Sequence, residues 1–488
     1  MKKTLIVELI CALIIASLLI ATSSAYPIDK QQKTTSDFID FDPLVDVQVT
    51  VEIQKIRSLE KFEYPNIRTF KKIDLFSDPD FFIKVFINDQ EFTSPIWINT
   101  KFIYNPEFSP MLDVPDDVEN VSIKIQLFDW SPGGNRLCDI SREHPGSDVE
   151  LLYSIKTGHW SGGDYIGDPS GYGRLNGCDD GSIYKPERDC ELWFNIYQND
   201  FDGDGIPYFT EVNVYGTDPV VDNTGEDADG DNVPIEWEWK WGYDPFKKDS
   251  HTTLDFDQDG LNNYEEYIMS QWSSDPFRQD IFIELDQMQA GPNNIPASLL
   301  PDGSKELMFT AFNRFNKVLQ IDDGYMGGGE MIPFDEKTSS DELEMIYLNY
   351  FLHGNENNWR RYVFHYGLVI YNPNDRAGFA FGRGAFVVSS KVTNTKIFPK
   401  TQMIKNITYA SVYMHETGHT LNIRNPGVDN RQTFAPWQIG FWIWGNYKSC
   451  MNYRYTYRLV DYSDGSRNVN DFNDWEDIDL TYFQKPWS

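Results

Sequence analysis

From about Asp42 to Asn199 the apolar residues alternate with polar ones or run in short blocks. The blocks are VDVQVTVEI, FFIKVFI, VSIKIQLFDW and CELWFNIY, set apart by Pro, Gly and Asp clusters. No long helical period interrupts them, so the pattern predicts an antiparallel β-sandwich over 42–199. Past Gln279 the period changes. DIFIELDQM, YVFHYGLVIYN and GAFVVSSKV read as strands, SKELMFTAFNRFNKVL has helical spacing, and KTQMIKNITYASVYMHETGHTL reads as one long helix. This mixture predicts an α+β unit over 279–488. At the start, Lys2 and Lys3 precede an apolar run to about Ala21 and small residues to Ala25. That order predicts an export signal over 1–25, a linker over 26–41 and a secreted or cell-surface protein. The length of the run and Glu8 within it keep an uncleaved anchor as the alternative.

Between these units the chain repeats itself. DFDGDGIPYFTE, DADGDNVPIEWE and DFDQDGLNNYEE begin at 200, 227 and 255, and each is followed by a turn ending in Asp-Pro. Acidic residues fall at positions 1, 3, 5 and 12 of every copy. They are Asp200, Asp202, Asp204 and Glu211; Asp227, Asp229, Asp231 and Glu238; and Asp255, Asp257, Asp259 and Glu266. Alternate carboxylates in a tight loop converge on one point, and a Glu on the following turn can close an oxygen shell around Ca2+. Gly205 and Gly260 at position 6 permit the sharp turn, and Asn232 tolerates the same backbone. The charge needs such an ion. The chain carries a formal −33, and 200–266 holds 19 Asp and Glu against three Lys. The same acidity excludes nucleic acid as a partner. The repeats resemble EF-hand, dockerin and thrombospondin type 3 calcium loops.

Within the first unit, DPDFFIKVFINDQEF, YNPEF and IKIQLFDW resemble the calcium-dependent lipid-binding sandwich first named in protein kinase C. That resemblance implies calcium at Asp78, Asp80 and Asp129 and a calcium-dependent membrane contact. Cys11 lies in the signal, leaving Cys138, Cys178, Cys190 and Cys450. An even count in an exported chain permits disulfides, and Cys178 with Cys190, flanking a short polar loop, is the favoured pair.

The chemistry concentrates in HETGH. Residues four apart share a helix face, so His415 and His419 can hold one Zn2+, and Glu416 between them can take a proton from water. HETGHTLNI, followed by SCMNY 32 residues after His419, resembles the metzincin clan of metallopeptidases. The resemblance implies that Met451 forms the methionine turn beneath the metal, that Tyr453 is a catalytic tyrosine near it, and that DWEDIDLTYF closes the domain. The chain departs from the clan's HExxHxxGxxH. Asn422 stands where Gly is expected and Asn425 where the third ligand is expected. An amide is a poor zinc ligand, so Asp429 is favoured as the third, with Asn425 the alternative and His353, His365 and Glu476 behind them.

The sequence therefore predicts a multidomain protein: an all-β sandwich, calcium-binding loop-helix repeats over 200–278, and a C-terminal metzincin-like domain. The expected activity is zinc-dependent endopeptidase, with protein or peptide as substrate. The departures at Asn422 and Asn425 keep a second expectation open, a non-catalytic calcium-dependent cell-surface binding protein with a degenerate peptidase domain.

Overall fold

The computed structural model describes residues 40–60, 78–143, 145–183, 188–425, 428 and 433–485. The signal at 1–25, most of the linker and Asp429 lie outside the described residues. No described helix is long and apolar enough to cross a membrane.

The alternating blocks of the N-terminal unit form strands β1 (Gln48–Ser58), β2 (Phe81–Ile87), β3 (Gln90–Thr93), β4 (Phe102–Phe108), β5 (Met111–Asp113), β6 (Asn120–Asp129), β7 (Arg136–Leu137), β8 (Val149–Ser154), β9 (Trp160–Gly162), β10 (Arg174–Asn176) and β11 (Cys190–Gln198). They make two antiparallel sheets, β10-β11-β1-β4 with β5 beside β1, and β3-β2-β6-β8-β9 with β7 beside β6. Val49, Val51 and Ile53 of β1 and Phe194 and Ile196 of β11 share one core with Ile83, Val85, Ile123 and Ile125 of the other sheet. Burying one face of each sheet is what the period-two pattern encodes.

One expectation fails here. Cys178 and Cys190 are buried and no disulfide joins them. Cys190 opens β11 and turns its thiol into the core beside that of Cys138. Cys178 sits in the 3-10 turn Gly177–Asp180, with its sulfur 3.6 Å from Asp189. Closeness in sequence does not make the two side chains face one another, because the turn and the strand aim them apart.

In the repeats, each loop runs into a short helical turn: Tyr208–Thr210 continuing through Glu211–Tyr215, Ile235–Trp241, and Asn263–Met269. Val233, Trp237 and Trp241 form a small core with Tyr243, Tyr264 and Phe277 packed against it.

The C-terminal unit contains β12 (Asp280–Met288), β13 (Val318–Asp322), β14 (Met331–Ile332), β15 (Phe364–Ile370), β16 (Gly378–Ala380) and β17 (Ala385–Ser389), in the order β13-β12-β15-β17-β16 with β14 beside β12. Every pairing is parallel except β16 with β17. The helix Asp302–Asn313 and the long helix Gln402–Thr420 cover one face, with Met308, Phe312, Ala410 and Met414 against Ile283, Ile321, Val369 and Phe386. Leu343, Phe351 and Leu352 cover the other. The expected mixture of strands and helices is present, and because the sheet is largely parallel it buries both faces and takes helices on each.

The sandwich grips this unit through charge. Glu191 is fully buried, 3.1 Å from Arg174 and 3.6 Å from Arg57, and it accepts a 2.7 Å hydrogen bond from Asn313. Arg57 reaches Glu306 on the same helix at 2.7 Å. Burial pushes the Glu191 carboxyl up, but Arg174, Arg57 and Lys55 outweigh it and hold it at about 2. Replacing Glu191 with Ala leaves buried guanidinium groups uncompensated and should cost roughly 3–5 kcal/mol in denaturant unfolding. Acid should act in the same direction. A depressed carboxyl stabilises the fold above its unfolded value of ~4.3, and that contribution disappears as pH falls through about 2. The Glu191→Ala variant should lack this component of the acid transition.

Candidate metal centres and active-site cleft

In each repeat the three alternate aspartates bring carboxylate oxygens within 4.8 Å of one another. Position 6 lies in the left-handed region every time, with φ of 91° at Gly205, 81° at Asn232 and 99° at Gly260. The position-1 carboxylate receives the N–H of position 6: Gly205 to Asp200 at 2.6 Å, Asn232 to Asp227 at 3.0 Å, and Gly260 to Asp255 at 3.2 Å. The glutamates at position 12 are buried, as the loop-closing role requires.

These clusters do not satisfy themselves. Oxygens of Asp202 and Asp204, of Asp229 and Glu238, and of Asp257 and Glu266 are buried without a donor. Burial and neighbouring carboxylates push Asp204 up to about 6, Glu211 to about 8 and Asp257 to about 10. Hard oxygens that lack donors and repel one another fit a divalent cation. The third loop is also a structural anchor. Asp259 accepts the N–H of Asp280 at 2.8 Å, at the first residue of β12.

The sandwich aspartates differ. Asp129 is paired with Arg136, and Asp78 lies 3.4 Å from Lys101. Asp80 accepts the N–H of Asn99 at 2.6 Å. Cationic side chains already answer two of these three carboxylates.

The long helix begins at Thr401, whose side chain accepts from the Ile404 N–H, and it buries nearly its whole length. His415, Glu416 and His419 lie on one face, with potential ligand atoms within 4.8 Å of one another. The His415 and His419 rings are 4.9 Å apart between centroids. His415 Nδ1 donates to the carbonyl of Cys450 at 2.8 Å, which leaves the Nε2 lone pair free. Burial holds His415 down to about 4 and, with the His415 and Arg424 charges added, His419 to about 3. Both imidazoles are therefore neutral donors, the form a metal binds. The chemistry of this donor set fits zinc.

Met451 is buried directly beneath this face. A Cβ at Gly418 would stand 2.5 Å from its sulfur, so the glycine lets the turn Ser449–Tyr453 seat against the helix. Tyr453 lies 5.4 Å from His415, ring to ring. The helix ends at Thr420, and Asn422, just past the cap residue Leu421, has φ of 61°. It adopts the left-handed conformation that glycine usually supplies at a helix end, so its departure from the clan pattern carries no backbone penalty beyond that of Asn. Asn425 is otherwise engaged. Its amide nitrogen donates to Tyr447 at 2.5 Å and to Asp474 at 2.8 Å. His353 is half exposed beside Glu330, His365 is buried against Phe483, and Glu476 is exposed.

A cleft of about 1010 Å³ opens over the pair, lined by His415, Glu416, His419 and Tyr453 and bounded by β16. Sequence reading missed β16, Tyr457 and Arg424. β16 pairs with β17 on one side only and forms the edge of the sheet. A Cβ at Gly378 would stand 2.5 Å from Glu416, so only glycine lets this edge reach the carboxylate. Three residues give no period. For Tyr457 the signal was present in the alternation of Tyr453, Tyr455 and Tyr457. Burial pushes Glu416 up to about 8.

Among known proteins, no family model and no curated protein matches this chain. Solved structures give a faint likeness. A human GIVD cytosolic phospholipase A2 is 13% identical with a TM-score of 0.19, over 33% of this chain and 17% of that one. A structure of a C2 domain is 12% identical with a TM-score of 0.18, over 31% of this chain and 97% of that one. A C2 domain protein from Ramazzottius varieornatus is 9% identical with a TM-score of 0.19, over 31% of this chain and 88% of that one.

Removing divalent cations should destabilise the repeats. Adding a chelator should lower the melting temperature and open 200–278 to proteolysis. The loss should grow with pH, because carboxyls raised on folding stabilise below their unfolded value and cease to as pH rises through about 6 at Asp204 and about 8 at Glu211. Unchanged melting with chelator at pH 8 would remove the loops from consideration as ion sites.

Proposed function

We propose that the chain is an exported zinc-dependent endopeptidase, held in shape by calcium in the loops of its repeats. The observation that carries this reading is the hydrogen bond from His415 Nδ1 to the Cys450 carbonyl, which aims Nε2 at the same point as His419 and sets Glu416 beside both. A merely structural histidine pair has no need of that orientation at the floor of an open cleft.

His415, His419 and a carboxylate, for which Asp429 remains the choice from sequence, would hold the ion. Zinc, when bound, supplies Lewis acidity that lowers the pKa of water and polarises a carbonyl. Glu416 takes the proton of the attacking water and returns it to the leaving amine, and its high proton affinity suits both transfers. The edge strand β16 offers main-chain groups to an extended peptide, so a substrate can lie as an added strand across Glu416. Tyr453, which lines the cleft, would donate its hydroxyl to the developing oxyanion. Outside the cell even a loop of modest affinity fills, since extracellular calcium modules work at ~10⁻⁴–10⁻³ M. A calcium-dependent membrane contact through the sandwich receives no support from the pairing of Asp129 with Arg136 and Asp78 with Lys101. The non-catalytic reading leaned on Asn422 and Asn425, and Asn422 already takes the conformation of the missing glycine.

Asp429→Ala should sharply reduce zinc content. Asn425→Ala should keep the zinc but lose roughly 1–3 kcal/mol of stability, because Tyr447 and the buried Asp474 lose a donor. The reverse pattern in metal analysis would make Asn425 the ligand.

Glu416→Gln should retain zinc and lose ~100- to 10,000-fold in the rate of casein cleavage. Zinc lost together with activity would make Glu416 a ligand. A zinc-loaded parent that cleaves nothing across a broad peptide panel would favour the binding-protein reading.

A further inference from the structure

The second repeat differs from the other two by one residue that lies outside the repeated motif. His251 is fully buried, and its Nε2 stands 3.3 Å from Asp231 Oδ2 and 3.4 Å from Glu238 Oε1. Asp231 and Glu238 are positions 5 and 12 of that loop. Both are buried, and the three potential ligand atoms lie within 4.8 Å of one another. Trp237 and Tyr243 wall the imidazole, with ring centroids 5.8 and 4.9 Å away.

We propose that this repeat holds a borderline transition-metal ion of the zinc type through His251, Asp231 and Glu238, rather than calcium. Calcium takes oxygen ligands, and an imidazole at the closing glutamate is foreign to it, whereas zinc accepts nitrogen and carboxylate together. The spacing agrees. Two ligands at ~2.0–2.1 Å from a tetrahedral zinc stand ~3.3 Å apart, while a charged imidazole–carboxylate hydrogen bond would close to ~2.7–2.9 Å.

Two buried atoms point to the ion independently. Glu238 Oε2 has no donor although Glu238 is 0% exposed. Asn263 Oδ1 also has no donor, while its amide nitrogen faces His251 Nδ1 at 3.0 Å. A half-turn of that amide lets its oxygen accept from Nδ1–H and frees the Nε2 lone pair for metal, the arrangement that outer carbonyls impose on metal-binding histidines. Asp231 is positioned by the N–H of Val233 at 3.2 Å and of Asp249 at 3.0 Å.

The test uses the full chain with His415→Ala and His419→Ala, in calcium excess. This variant should hold about one zinc per chain after dialysis, and adding His251→Gln should remove it while calcium content stays the same. Cobalt(II) should give the intense visible bands of a four-coordinate site in the first variant and lose them in the second. Equal zinc with and without His251→Gln overturns the proposal, as do weak six-coordinate cobalt bands. If His251→Gln does not fold, competition decides: zinc that millimolar calcium displaces from the His415/His419 variant overturns it, and zinc that resists supports it. A parent with no more zinc than the His415/His419 variant would sink the catalytic reading and leave this site standing.

Discussion

The arrangement depends on how carboxylates are kept apart. Three loops each gather at least three acidic side chains, and each buries oxygens that no protein donor reaches. Like charges at such separations repel by kcal/mol even when partly screened. The loops are therefore folded only as far as something positive shares them or protons settle on them. This matters beyond the repeats because the third loop is fastened to the first residue of β12, which pairs with both β13 and β15. The electrostatics of the middle region thus reach the sheet that carries the cleft.

The cleft is organised by the opposite means, close apolar packing. Gly418 admits Met451, Gly378 admits the edge strand, and Gly367 admits Tyr413. Each glycine removes a side chain where two elements must approach. The His415 imidazole is then fixed by a backbone carbonyl that no substitution can delete. Burial keeps it neutral, and packing supplies its direction.

What the sequence disclosed follows from the range of each interaction. HETGH and the acidic loops are local: their geometry is set within five to twelve residues, so spacing alone carries it. The alternating strands of the sandwich were legible for the same reason. The parallel order of the C-terminal sheet was not, because a parallel pair is joined by a crossover whose path leaves no period. β16 is too short to have one, and its importance comes from the Glu416 carboxylate, 38 residues on. The cysteines misled because Cys190 meets Cys138 across the sandwich and not its near neighbour in sequence. Nothing in the sequence marks His251, because it sits thirteen residues beyond Glu238 and outside the repeated motif it contacts.

The C-terminal segment joins these parts in a way that has a thermodynamic corollary. Gln484 donates to the carbonyl of Gly260 in the third loop at 2.5 Å and to that of Tyr362 at 2.7 Å. One residue earlier Phe483 packs at a tilt against His365, and two residues earlier Tyr482 lines the cleft, held by Arg424. Cleft and loop are thus two ends of one short lever. For any ion the third loop would hold, reciprocity sets the size of such a coupling: a cleft occupant that displaced Tyr482 and Gln484 would change the ion's affinity by the same factor by which the ion changed the occupant's. Three consecutive side chains, Tyr482, Phe483 and Gln484, thus tie the lining of the cleft to the backbone of the third loop.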